Sequence, residues 1–239
     1  MTDDVRYEDG RLIFDTEVHG LSTFGCVPDG VPCISFGGEE GFSVPSYGAA
    51  SVKVVEKGHS RVMAVASADL RGGHMRIGGS PEGKGGISVV LYIGAVLPDY
   101  AIARAMVTAT EAVTVVMREL GLGVMGRSTS TGCAEQDLTI AVPKEHPLHL
   151  SGTGKHSVLG ECIARAVMES VSESARMNGL RFDIGTAMAR AGIDGTPSEE
   201  RAAILLALMH LKDETSWGFI PEDAADRAIA DISSMLPDE

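Results

Sequence analysis

Across 239 residues the chain is 44% hydrophobic and 5% aromatic, and its 33 acidic against 20 basic side chains leave a net charge of −13. That length suits one globular domain, or a domain with a small appendage, on a core of Val, Ile, Leu, Met and Ala. So acidic a surface repels phosphate backbones and argues against nucleic acid as a partner, and the apolar runs at 85–97 and 101–117 are stopped by Pro98 or interrupted by Arg104 and Glu111, so no membrane span is expected.

Residues 5–14 alternate in both arms around Asp9-Gly10 and predict a hairpin. Residues 20–50, rich in Gly, Pro and Ser, give no clear pattern. Residues 51–56 and 61–66 predict strands joined by a turn at 57–59. Seven glycines between 71 and 86 make that stretch an extended loop, either disordered or folded over a site. Residues 86–93 are almost wholly apolar and β-branched, the pattern of a buried strand. Residues 98–120 predict a helix with Pro98 in its first turn and Gly121 at its stop. Residues 138–142 are the next strand, so strand, helix and strand form a βαβ unit with parallel strands. A second long helix spans 156–177 and ends at Asn178-Gly179. Beyond it come a short helix over 181–192, a helix opened by Thr196-Pro197, and a last helix from Pro221 to Met235.

The expected fold class is α/β: a mixed sheet with an N-terminal antiparallel part, a βαβ unit and two long helices packed on it. The expected division is a domain over 1–179 and a helical extension over 180–239. Met106, Met117, Met125 and Met168 read as core fillers or as a pocket lining. Trp217 and Phe219 in the extension suggest homo-oligomer contact, which packing on the same chain explains equally well. The cysteines Cys26, Cys33, Cys133 and Cys162 form no C-x-x-C pair, and Cys26 and Cys33 read as reduced thiols rather than a disulfide. The first residues lack the basic and apolar regions of a signal peptide, so a cytoplasmic location is expected.

Three segments hold more polar chemistry than their structure requires. On the first helix Arg104, Thr108, Glu111, Thr114 and Arg118 recur at three- and four-residue steps and share one face. That stripe is either the wet side of the helix, with Glu111 paired to Arg104 or Arg118, or a wall facing a ligand. The second is 128–137, where hydroxyls, small residues, Cys133, Glu135 and Asp137 crowd the approach to a strand. The third is 151–157, Ser-Gly-Thr-Gly-Lys-His-Ser, at the start of a helix. It can form an anion-binding nest with Lys155 adding charge, or a plain cap by Ser157 or Thr153. It lacks the first glycine of a phosphate-binding P-loop: His149 stands there.

Taken together, residues 105–114 with 118–121, Ser128-Thr-Ser-Thr-Gly132 with Asp137, and residues 155–161 with 164–167 resemble the signatures of the adenosylcobinamide amidohydrolase family. The resemblance covers about residues 15–178. The residues Cys133 to Gln136 separate Gly132 from Asp137, where the family's second signature is more compact. The resemblance implies hydrolysis of the aminopropanol amide of adenosylcobinamide to adenosylcobyric acid, or of a related large cofactor intermediate. The corrinoid enters as substrate, and no cofactor or metal is required. Amide cleavage needs an activated nucleophile, donors for the oxyanion and an acid for the leaving amine. The expected catalytic residues are His156 as base, assisted by Glu161 or Asp137, with Glu111 orienting the amine. The nucleophile is water, or a hydroxyl of Thr129 or Thr131. Backbone amides of Gly132 and Gly154 serve as oxyanion donors, and Thr108, Cys133, Lys155 and Ser157 complete the substrate contacts. A metal-dependent variant would use His156, Glu161 and Asp137. A corrinoid- or nucleotide-binding protein without turnover, or thioester chemistry through Cys133, are the alternatives.

Overall fold

The computed structural model describes residues 4–81, 83–120, 122–124, 128–180, 208, 211, 215 and 221–234. Two compact units are present, one of 1–122 with 130–180, the other of 123–129 with 181–239. In chain order the elements are β1 (Val5–Glu8), β2 (Arg11–Phe14), β3 (Val18–Ser22), β4 (Gly25–Val27), β5 (Cys33–Phe36), β6 (Phe42–Val44), β7 (Ala50–Lys57), β8 (Ser60–Asp69), β9 (His74–Met75), β10 (Gly86–Ile93), α1 (Asp99–Glu119), β11 (Gly123–Val124), β12 (Ser128–Thr129), β13 (Gly132–Cys133), β14 (Glu135–Pro143), α2 (Val158–Met177) and α3 (Glu222–Ser233).

The first unit is built on a six-stranded sheet of order β4-β3-β14-β10-β8-β7. β10 and β14 run parallel, with α1 as their crossover, and the other neighbours are antiparallel. The βαβ unit is therefore present as the sequence predicts. A second sheet, β1-β2-β5-β6, opens with the predicted hairpin. Its turn holds Asp9 and Gly10 at positive φ, 48° and 76°, the geometry for which Asp-Gly is suited.

Strand alternation divides the central sheet between two cores. Val62, Ala64, Ala66 and Ala68 of β8, Val89 and Leu91 of β10, and Leu138 and Ile140 of β14 pack beneath the helices. Met63, Val65, Val90, Tyr92 and Ala141 face the other way, against Leu12, Phe14, Ile34 and Val44 of the second sheet. Ala101, Ala105, Ala109 and Ala112 give α1 a narrow inner face. By length and composition α1 could cross a membrane, but that inner face belongs to the core. Met117 is fully buried and Met106 and Met168 lean on the same core, whereas Met125 lies outside the described residues. All four cysteines are free thiols. Asn178 and Ser174 clamp the end of α2 to β7 and β8 through Ala49 and Ala68, and Gly179 leaves the helix at φ +87°.

Some boundaries differ from expectation. Pro98 is the N-cap of α1 and stands just before its first turn. Residues 20–50 hold the end of β3 and the short strands β4, β5 and β6. β14 starts at Glu135, three residues earlier than predicted, which puts Asp137 inside a strand. In the second unit β11 pairs antiparallel with β12, and α3 buries Ala225. The helix predicted over 181–192, with Trp217 and Phe219, falls outside the described residues, and of the helix predicted from Thr196 only Leu208 and Leu211 are described, both helical.

Candidate functional site

α1 starts just beyond the carboxyl end of β10 and runs back along the parallel pair. Ligands in α/β sheets gather beyond those carboxyl ends. A cavity of about 450 Å³ lies there, lined by Tyr100 and Arg104 of α1 and by Thr153, Gly154, His156 and Ser157 of the loop before α2.

That loop is fixed from both sides. Thr153 is fully buried: its hydroxyl donates to the Ala101 carbonyl (2.7 Å), and its own carbonyl accepts from the buried Thr108 hydroxyl (2.9 Å). Ser157 caps α2, accepting from the Gly160 amide (3.0 Å) while its hydroxyl donates to Gly152 or Gly154 (2.7 and 2.8 Å). Gly160 lets the helix come this close, since a Cβ there would stand 2.0 Å from the Gly154 carbonyl oxygen. His156 therefore stands before the helix, exposed at the rim of the cavity.

The polar stripe of α1 is a wall between two loops. One turn beyond Thr108, Glu111 holds the Lys155 ammonium at 3.2 Å. Arg104, one of the two arginines considered from helical spacing, makes no ion pair with it among the described residues. One turn further, the Thr114 hydroxyl lies 3.0 Å from the Thr131 carbonyl, beside the strip leading into β13. Three of the sequence segments thus meet along one helix face, through Thr108–Thr153, Glu111–Lys155 and Thr114–Thr131.

The strip from Ser130 to Ala134 is backed by the glycine-rich stretch. β9 pairs antiparallel with β13, and Thr131, Ala134 and Ile77 add hydrogen bonds between the two segments. Buried between them, Ser130 Oγ and His74 Nδ1 are 3.3 Å apart. Residues 73–77 of the glycine-rich stretch are thus paired with this strip. Gly132 and Cys133 are buried in β13. Burial pushes the Cys133 thiol up to about 12, with the Asp69 charge adding to it, so it is a poor thiolate source. Thr129 lies in β12 of the second unit, and its side chain is not among those described.

Two expected catalytic carboxylates stand elsewhere. Asp137 alternates with Leu138 and shares the side of Thr139 and Ala141, facing away from the helices. It is 1% exposed and accepts hydrogen bonds from Thr23, from Ser22 and Ser88 at 3.3 Å, and from Thr139 at 3.4 Å. Desolvation raises its pKa and those hydroxyls oppose the rise. Glu161 points from the first turn of α2 to Lys57 at the end of β7, and that ion pair is its main bond. Lys57 lowers the Glu161 pKa. Neither carboxylate orients His156, and the three form no metal-ligand group among the described residues.

A larger cavity, about 560 Å³, opens at the amino ends of the parallel strands beside Tyr47, Asp69, Lys84 and Glu135. Its acids are already engaged: Asp69 holds Arg71 at 2.7 Å and Glu135 accepts from the Tyr47 hydroxyl at 3.1 Å. Burial, and then Glu135, push that phenol up to about 12.

Sequence reasoning missed Tyr100 as a lining residue and His74 altogether. Thr153 lay inside a motif whose threonine was weighed only as a helix cap. His74 carried no local signal, because its partner Ser130 is distant in the chain.

A family model described as adenosylcobinamide amidohydrolase matches residues 48–181, more than half of the chain. A protein of Methanocaldococcus jannaschii, itself described as uncharacterised, is 38% identical over 96 residues, which is 38% of this chain and 35% of that protein. The match thus spans about a third of that relative's length.

Proposed function

Because the chain belongs to the adenosylcobinamide amidohydrolase family, we propose that it hydrolyses the aminopropanol amide of adenosylcobinamide, or of a related corrinoid, releasing the amine and the corresponding acid. The observation that carries this reading is the meeting of the family-like segments on one face of α1, where Thr108, Glu111 and Thr114 hold the loops at Thr153, Lys155 and Thr131.

In this reading His156, at the rim of the cavity, takes a proton from the attacking water. Water attacks the amide carbon, the C–N bond breaks, and that proton leaves with the amine. Glu111, held in place by Lys155, orients the departing ammonium. The Gly154 amide at the cavity is a donor for the developing oxyanion, and the Gly132 amide belongs to the strip on the other side of the Glu111 turn. Water is preferred to Cys133 because the buried thiol resists ionisation. Asp137 and Glu161, expected as helpers of His156, support the scaffold instead. A cytoplasmic location and self-association through the tail belong to the same proposal.

The test is purified protein with adenosylcobinamide, followed by mass detection of free aminopropanol. His156→Ala should lower turnover by about 10²–10⁴-fold, the usual range for a positioned acid–base group. Tight corrinoid binding without release of the amine would favour a binding protein. Unchanged turnover in both His156→Ala and Glu111→Gln would remove the assignment.

A further inference from the structure

We propose that Arg104 is a catalytic residue of this site: its guanidinium binds the carbonyl oxygen of the scissile amide and then holds the carboxylate of the product. The inference rests on the amide-hydrolysis reading and adds an electrophile to it.

Three observations carry it. Arg104 lines the cavity together with His156 and Ser157. Its guanidinium lies against Gly154, where an added Cβ would stand 3.0 Å from Nε and 3.3 Å from Nη2. The cation and the loop amide thus border the same hollow. Finally, Arg104 has no hydrogen bond or ion pair among the described residues, whereas Arg6, Arg11, Arg61, Arg71 and Arg165 each hold a carboxylate. Glu111, seven residues along the same helix, is taken by Lys155 instead of neutralising Arg104.

A guanidinium with open donors beside a cavity fits an oxygen that gains negative charge. It binds a carboxylate through two parallel hydrogen bonds and stays protonated throughout. As water adds and the C–N bond breaks, charge accumulates on the amide oxygen and persists in the acid formed. Arg104 holds that oxygen, and no proton passes through it.

The experiment compares wild type, Arg104→Ala, Arg104→Lys and Gly154→Ala. Arg104→Ala should lower kcat by about 10²–10³-fold, the usual cost of removing one oxyanion donor, with KM changed far less. Added guanidinium, at concentrations well below those that unfold proteins, should restore part of the loss, and ammonium should not. Arg104→Lys should recover less than guanidinium rescue does. Gly154→Ala should reduce kcat in the same direction without lowering Tm, because the crowded atoms belong to a movable side chain. A second arm needs no turnover: adenosylcobyric acid binding, followed by equilibrium dialysis, should weaken by at least tenfold in Arg104→Ala. Failure of the wild type to release aminopropanol would sink the hydrolysis reading, and the dialysis arm would still decide whether Arg104 holds the carboxylate. Wild-type kcat in Arg104→Ala, a deficit that guanidinium does not reach, or equal binding of the acid would each overturn the proposal.

Discussion

Replacing Thr108 with Val tests whether α1 holds the loop that carries His156 in place. Thr108 is 3% exposed, and its hydroxyl donates to the Thr153 carbonyl at 2.9 Å. Valine keeps the branched shape and removes the donor, so the change strips a partner from a carbonyl in a buried setting. Leaving such a group unsatisfied costs about 1–3 kcal/mol. In a chain of this length each kcal/mol moves the midpoint by about 2–4 °C, so Tm should fall by about 2–12 °C. The functional effect follows from position: Thr153 precedes Gly154 and His156, both at the cavity. A shift of about 1 Å at reacting groups can cost on the order of 100-fold in rate. Scanning calorimetry and aminopropanol release measure the two effects on the same sample. Thr108→Ser restores the hydroxyl and should recover much of both. A Thr108→Val protein with wild-type Tm and wild-type turnover would refute the claim that this bond sets the loop.

Glu111→Gln separates catalysis from stability. The Glu111–Lys155 pair is solvent-exposed at 47% and 61% of its side chains, so its loss should cost at most about 1 kcal/mol. Turnover should fall by about 10²–10⁴-fold, and a Tm drop without that loss would assign Glu111 a structural role. Cys133→Ala should retain turnover, and iodoacetamide should label exposed Cys26 while sparing buried Cys133 in native protein; substrate-protected labelling of Cys133 would count against the water mechanism. Asp137→Asn should shift the pH dependence of stability. The folded pKa of Asp137 is raised, so its favourable contribution is complete below the unfolded value near 3.8 and is lost as pH rises through the folded value. Urea midpoints should therefore move in favour of Asn relative to Asp as pH rises through that window, and a difference constant with pH would contradict the assignment.

The legible parts of the fold are those whose pattern is contiguous. β10 is buried at every position and α1 carries a small-residue face, so each announces itself without help from partners. The strands between 18 and 44 are three to five residues long and draw their stability from sheet neighbours. The start of β14 was hidden for a related reason. Glu135, Gln136 and Asp137 read as a polar loop when taken in order. In the sheet, Asp137 lies opposite Ser88, and Thr139 lies opposite Ser22. Of the hydroxyls that make a buried carboxylate tolerable, only that of Thr139 is local; those of Ser88, Thr23 and Ser22 are supplied from 49, 114 and 115 residues away, and no short window along the chain contains them.

The same distinction decides what could be read of the site. Helical spacing put Arg104, Thr108, Glu111 and Thr114 on one face, which the fold bears out, because the face of a helix is a local property. Which neighbour meets each residue is not local. Glu111 pairs with Lys155, 44 residues on, and not with Arg104, two turns back on its own helix. Glu161, five residues past His156, is carried by α2 toward Lys57 and away from the imidazole. The segments at 130–133 and 151–157 have one shared neighbour for a geometric reason. A crossover helix must return along the parallel strands, so its beginning lies near the loop at their carboxyl ends and its later turns near the loop that enters the second strand. For a βαβ unit read from sequence, the polar stripe of the crossover helix is therefore where loops from opposite ends of the sheet can be brought to one substrate.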